Sequence, residues 1–149
     1  MNIRFSSFAE SYEIALPLIK EHAEEIGFGP WKDLDLHIDT TVYKLLEQEG
    51  LLRVIVAEDE GKMVGYFMIT CGNMPHFKDL WKAGSDVIYV DPEYRSSGIA
   101  ARMIKLMMED CKDHDISFLS IGVSTNLDFS EMLEKNGAVL TEKQYTWRL

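Results

Sequence analysis

The segment Val87-Ile88-Tyr89-Val90-Asp91-Pro92-Glu93-Tyr94-Arg95-Ser96-Ser97-Gly98-Ile99-Ala100 carries the clearest chemical signal in the chain. It reads as a buried strand passing through a tight loop into the start of a helix. The first turn of a helix leaves backbone N–H groups without partners and carries partial positive charge, so it attracts phosphate. Ser96, Ser97, Gly98 and Ala100 are small enough to let a diphosphate approach the backbone, and Gly98 admits backbone angles closed to other residues. Arg95 adds a fixed charge with forked donors. Taken alone, a short glycine motif reads first as an ordinary strand-to-helix connection. Two common phosphate loops do not fit it. A P-loop places Lys and Ser/Thr directly after its second glycine, whereas Ile99-Ala100-Ala101 follows Gly98. A dinucleotide fingerprint has three glycines after an early strand, and here Gly98 stands alone.

The elements that must hold this loop follow from periodicity. Ile3 and Phe5 alternate with polar neighbours, which predicts a short first strand. Ala15, Ile19, Ala23 and Ile26 form one stripe of a helix spanning Ala9 to Ile26, which Pro17 is expected to bend or interrupt. A second helix is predicted over Thr40–Gln48, with Asp39 as N-cap and Gly50 as stop. Leu52–Glu58 and Met63–Thr70, joined by Asp59-Glu60-Gly61-Lys62, form a hairpin signature. Cys71 to Gly84 reads as irregular, and Asp86–Val90 as a short strand. An amphipathic helix is predicted over Gly98–Lys112, a strand over Ile116–Val123, a helix over Asp128–Asn136 and a closing strand over Tyr145–Leu149. This β-α-α-β-β-β-α-β-α-β order predicts an α/β sheet with helices on both faces.

Composition narrows the possibilities. The 149 residues suit one domain, residues 1–149, without internal repeat or linker. Hydrophobic residues are 46% and charged residues 27%, as in globular proteins. The longest apolar run, Met63 to Ile69, is far short of the roughly 18 residues of a membrane span. The opening Met1-Asn2-Ile3-Arg4 does not read as a secretory leader. Cys71 and Cys111 form neither a disulfide framework nor a zinc pattern, and no His, Cys and acid set has metal-ligand spacing. A cytoplasmic setting is the expectation. Twenty-five acids against fifteen bases give a net charge of −10, which counts against nucleic acid and favours cationic or amine-bearing partners, or serves solubility alone.

Arg95-Ser96-Ser97-Gly98-Ile99-Ala100, preceded by Val90-Asp91-Pro92, resembles the Gln/Arg-x-x-Gly-x-Gly/Ala signature of the GNAT superfamily of N-acyltransferases. Asn126 and Glu134-Lys135-Asn136-Gly137-Ala138 are similar to that family's second motif, and the element order matches its fold. The resemblance implies a mixed, mostly antiparallel sheet of six to seven strands flanked by about four helices. It implies acetyl-CoA as acyl donor, an amine acceptor and no metal. The donor's pantetheine arm would lie along Ile88, Tyr89 and Val90, with its pyrophosphate on the amides of Arg95, Ser96, Ser97, Gly98, Ile99 and Ala100. Asn126 would bind the arm or position the acceptor.

In the family a general base often sits on the strand ahead of the signature. Asp86 holds that place, expected to share a pleat face with Ile88 and Val90, with Glu58 and His76 as lesser candidates. The second motif usually carries a Tyr as general acid, where this chain has Leu133. Loop aromatics suit recognition of a flat or cationic acceptor, which nominates Trp31, His76 and Phe77, with Trp81 expected in the core. His22 is expected at the surface or in packing. The readings that follow are an N-acetyltransferase, a catalytically weak acyl-CoA-binding module, or a phage-type transferase acting on modified nucleic acid. Dimers are frequent in the family, and Tyr145–Leu149 offers a strand for pairing between subunits.

Overall fold

A computed structural model describes residues 1–149. Five strands form one sheet in the order β1-β2-β3-β4-β5: β1 (Asn2–Ser6), β2 (Leu52–Asp59), β3 (Lys62–Met74), β4 (Phe77–Val90) and β5 (Phe118–Ser120). The first three pairings are antiparallel and the last, β4 with β5, is parallel. Four α-helices cover the sheet: α1 (Phe8–Glu25), α2 (Thr40–Gln48), α3 (Ile99–Asp113) and α4 (Ser130–Lys135), with a 3₁₀ helix at Pro92–Ser97.

The sheet is buried on both faces, so Val54 to Ala57 reads as an unbroken apolar run. Ile55 and Ala57 pack with Phe67, Ile99, Met103 and Met107 against α3, while Val54 and Val56 pack with Phe8, Ala15, Leu18 and Tyr66 beneath α1. Asp39 caps α2 as expected, accepting from the amides of Thr41 and Val42 at 3.1 and 3.3 Å. The β2–β3 turn places Glu60 and Gly61 at φ 48° and 81°, the double positive-φ conformation of a tight hairpin.

Five expectations are corrected. Pro17 does not interrupt α1, which runs from Phe8 to Glu25; its ring lies on the exposed side of the helix, where the missing N–H donor costs least. The stretch Cys71–Gly84 is not irregular. β3 and β4 continue as a long hairpin to the Met74–Phe77 pairing, because a backbone ladder needs no apolar alternation. The strand expected at Ile116–Val123 shrinks to three residues. Tyr145–Leu149 pairs with no strand; it is held by an Arg148–Asp33 ion pair at 2.9 Å, and the sheet has five strands rather than six or seven. Trp81 is 44% exposed rather than core.

Candidate active site

The edge of β4 and the start of α3 form one continuous feature. β4 pairs with β5 only across Lys82–Gly84, and a Gly122 amide donating to Ser85 Oγ at 2.9 Å is the last tie before the two strands part. Beyond it, the stretch through Val90 has no strand neighbour on that side. Pro92–Ser97 then turns the chain, with buried Asp91 accepting from the Glu93 amide at 3.0 Å and from Lys62 Nζ at 2.8 Å. The Lys62 ammonium holds the Asp91 carboxyl below its ordinary range.

Gly98 sits at φ 75°, ψ 13°, the left-handed conformation that only glycine adopts without strain. Its carbonyl accepts from the Arg102 amide, while its own N–H has no partner in the protein. No side chain caps α3, and a Cβ at Gly98 would meet nothing within 4 Å. Open space therefore faces a helix start whose donors are unsatisfied. That combination fits an anionic group of the diphosphate kind.

Arg95 contributes differently from the sequence-based expectation. Its guanidinium grips Glu25 of α1 through two bonds, 2.7 and 2.5 Å, and its Nε donates to the Val90 carbonyl at 3.1 Å. Tyr89 donates to the same Glu25 carboxylate at 2.6 Å. Arg95 and then Tyr89 pull the Glu25 carboxyl down to about 2. The Arg95 side chain is thus spent on clamping the loop to α1, with its charge paired to Glu25. Ser97 Oγ is likewise committed, to the Tyr94 carbonyl at 2.5 Å. Tyr89 has a buried side chain stacked on His22, with ring centroids 4.5 Å apart, so only its backbone belongs to the open edge.

Asp86 is displaced by a bulge. Met68 pairs with Val87 and Ile69 with Ser85, so Asp86 is the extra residue. Alternation therefore fails. Ile88 and Val90 pack toward α3, whereas the Asp86 carboxylate accepts from Tyr43 Oη of α2 at 2.7 Å, on the opposite face. Burial, then the Asp86 hydrogen bond, pushes the Tyr43 phenol up.

On that face lies a cavity of about 500 Å³, walled by α1, the 26–38 loop, Tyr43, the β2–β4 strands and the chain after β5. Trp31 lines it, stacked on Phe28 with centroids 5.6 Å apart. His76 and Phe77 do not. They sit at the β3–β4 tip in a separate depression, because the hairpin runs on past the expected loop. Glu58 is held by Arg4 at 3.0 and 3.2 Å, and Leu133 packs in the α3 layer. Asn126 donates to the Ile26 and Gly29 carbonyls, both at 2.7 Å, and so fastens the chain after β5 to the end of α1.

Sequence reasoning missed His22, Tyr43 and Tyr66 as cavity residues. His22 Nδ1 lies 2.7 Å from Tyr66 Oη, and burial lowers its pKa to about 4, so the ring is neutral near pH 7. The signal was present for His22. It falls three residues after Ile19 and four before Ile26, on the inward stripe of α1.

The profile of the Acetyltransferase (GNAT) family matches residues 16–137, most of the chain. The chain belongs to the GNAT acetyltransferase family. No curated protein sequence matches it. Among solved structures this GNAT chain is similar to glucosamine-6-phosphate N-acetyltransferase from Arabidopsis thaliana, with TM-score 0.76, 13% identity and coverage of 99% of this chain and 97% of that one. It is also similar to ribosomal-protein-alanine N-acetyltransferase from Brucella melitensis biovar Abortus 2308, with TM-score 0.72, 20% identity and full coverage of both chains, 100% each. A predicted acetyltransferase with acetyl-CoA from Clostridium acetobutylicum gives TM-score 0.73 at 17% identity, covering 99% of this chain and 95% of that one. At such identities the likeness establishes the shared fold. No helix of the GNAT domain is long and apolar enough to cross a membrane.

Proposed function

We propose that this GNAT domain transfers an acetyl group directly from acetyl-CoA to a primary amine of a small molecule or protein. The observation that carries the proposal is the uncapped start of α3, where the left-handed Gly98 and its unpartnered N–H face open space at the end of the unpaired β4 edge. The amides from Arg95 to Ala100 bind the diphosphate, and the Ile88–Val90 backbone takes the extended arm as an added strand. Acetyl-CoA supplies an activated thioester.

Asp86 acts beyond the arm's reactive end. Alkylammonium groups titrate near 10, so the acceptor nitrogen must shed one proton to free the lone pair that attacks the acyl carbon and a second as the amide forms. Asp86, fixed by Tyr43 and open to the cavity, accepts the first proton directly or through water, and the second passes to water. The carbon–sulfur bond breaks as the new bond forms, and the departing thiolate takes its proton from water. Asn126 acts indirectly, by holding the cavity loop. Two unpaired cysteines suit a reducing, cytoplasmic setting. The exposed Tyr145–Leu149 segment offers a contact for a second copy.

A second reading, a catalytically quiet acyl-CoA-binding module, is favoured by Leu133, which places no proton donor at the usual Tyr position. Titration calorimetry with acetyl-CoA and thiol-release kinetics separate the two. The expected result is binding, turnover with an amine, and an Asp86→Asn variant whose kcat falls at least tenfold while acetyl-CoA affinity holds. Binding without turnover on any acceptor favours the quiet module. No binding removes both readings.

A further inference from the structure

The cavity beside Asp86 says what kind of amine suits it. Of its 30 lining residues 21 are hydrophobic. Phe28, Leu34 and Leu36, each about half exposed at 55%, 53% and 49%, all border it. Large apolar side chains left uncovered around one concavity mark a site for an apolar ligand.

Charge inside the cavity is sparse. Its only ionised lining residues are Lys32, Asp35 and Asp86, and Lys32 Nζ is tied to the Glu25 and Ile26 carbonyls, both at 3.2 Å. His22, neutral near pH 7, closes on Tyr66 and adds no charge. One ammonium has a partner in Asp86. Further ammonium groups drawn in against the apolar wall would find Asp35 alone to receive them, and burying unpaired charge is strongly disfavoured. Size restricts the acceptor as well. Ser85 to Ile88 and Gly122 also line this cavity, so its 500 Å³ must be shared with the donor's reactive end.

We propose that the acceptor is a compact primary monoamine on an apolar body, the size of one aromatic ring or a short alkyl chain, seated against the Phe28–Trp31 pair with its nitrogen at Asp86. Polyamines, aminosugars with several ammonium groups and lysine side chains in polar peptides are poor acceptors. This inference rests on the acetyl-transfer reading above. During the reaction the ammonium gives one proton toward Asp86, the freed nitrogen gains the acyl carbon and loses a second proton to water, and the carbon–sulfur bond breaks as the thiolate leaves.

The test measures thiol release from acetyl-CoA with the full chain against straight-chain primary amines from two to six carbons, 2-phenylethylamine, spermidine and a lysine-containing peptide. Each added methylene is expected to raise kcat/KM about threefold to fourfold, as burial of a CH₂ predicts. The expected value for 2-phenylethylamine exceeds that for spermidine at least 100-fold. Trp31→Ala is expected to raise the 2-phenylethylamine KM at least tenfold, with kcat and acetyl-CoA affinity little changed. A second variant, Phe28→Leu, shrinks the same wall at an exposed position and is expected to raise KM less. Equal or better use of spermidine or the peptide overturns the inference, as does a flat alkyl series. Acetyl-CoA binding with no amine accepted also overturns it. Loss of acetyl-CoA binding in the parent protein overturns the transfer reading itself, which separates the two failures.

Discussion

Replacing Gly98 separates the backbone requirement of the loop from its proposed electrostatic role. At φ 75° a side-chain-bearing residue is strained, and the left-handed conformation costs about 1–2 kcal/mol. No clash adds to this, since a Cβ there meets nothing within 4 Å. Gly98→Ala should therefore lower Tm by roughly 2–8 °C, at about 2–4 °C per kcal/mol for a chain of this size. Its acetyl-CoA affinity should change by less than about tenfold. Gly98→Glu carries the same strain and adds a carboxylate at the open helix start. A unit charge about 5 Å from a phosphate oxygen, at an effective dielectric near 20, is repelled by roughly 3 kcal/mol. That corresponds to about a hundredfold weaker binding. Calorimetric titration gives Kd and scanning calorimetry gives Tm for both variants, and raising the salt to about 1 M should recover part of the loss in the Glu variant. A folded Gly98→Glu protein that binds acetyl-CoA within threefold of the parent would refute the assignment of the diphosphate to this loop.

Two further perturbations probe the clamp behind the loop. His22 titrates at about 4 in the fold against 6.5 ordinarily, so between these values the unfolded chain binds more protons and stability rises with pH, levelling off above 6.5. The gap is worth about 3 kcal/mol at full effect; denaturant titrations from pH 4 to 7 should show this rise in the parent and a flatter profile in His22→Gln, and identical profiles would contradict a neutral buried ring. Glu25, held near 2, contributes stability that is complete above about 4.5 and is lost as pH falls toward 2. Both partners keep about 30% of their side chains in water, so Glu25→Gln should cost only about 1 kcal/mol at pH 7. The same variant should loosen acetyl-CoA binding severalfold by freeing Arg95; an unchanged Kd would make the clamp purely structural.

Much of the frame is legible in local sequence. The Asp39 cap, the Glu60-Gly61 turn and the left-handed Gly98 each depend on residues within about four positions, and backbone sterics act over that range. The run from Val87 to Ala100 is legible for the same reason, and its pattern carries the family. The α1 stripe places His22 inward as well, although only the folded chain shows Tyr66 and Tyr89 waiting for it.

What the local signal omits is pairing at a distance. Glu25 meets Arg95 across 70 residues and Asn126 reaches Ile26 across 100, contacts that leave no trace in either neighbourhood. The bulge at Asp86 turns that carboxylate from the α3 face to the α2 face, since one inserted residue reverses alternation. The long β3–β4 hairpin carries His76 and Phe77 away from Trp31, and the last residues find no sheet edge despite their strand-like pattern. Residue type and spacing were enough to determine the helix start and the turn beside it. Tertiary structure decided which side chains stay available there, because register and cross-chain hydrogen bonding depend on the whole packed sheet.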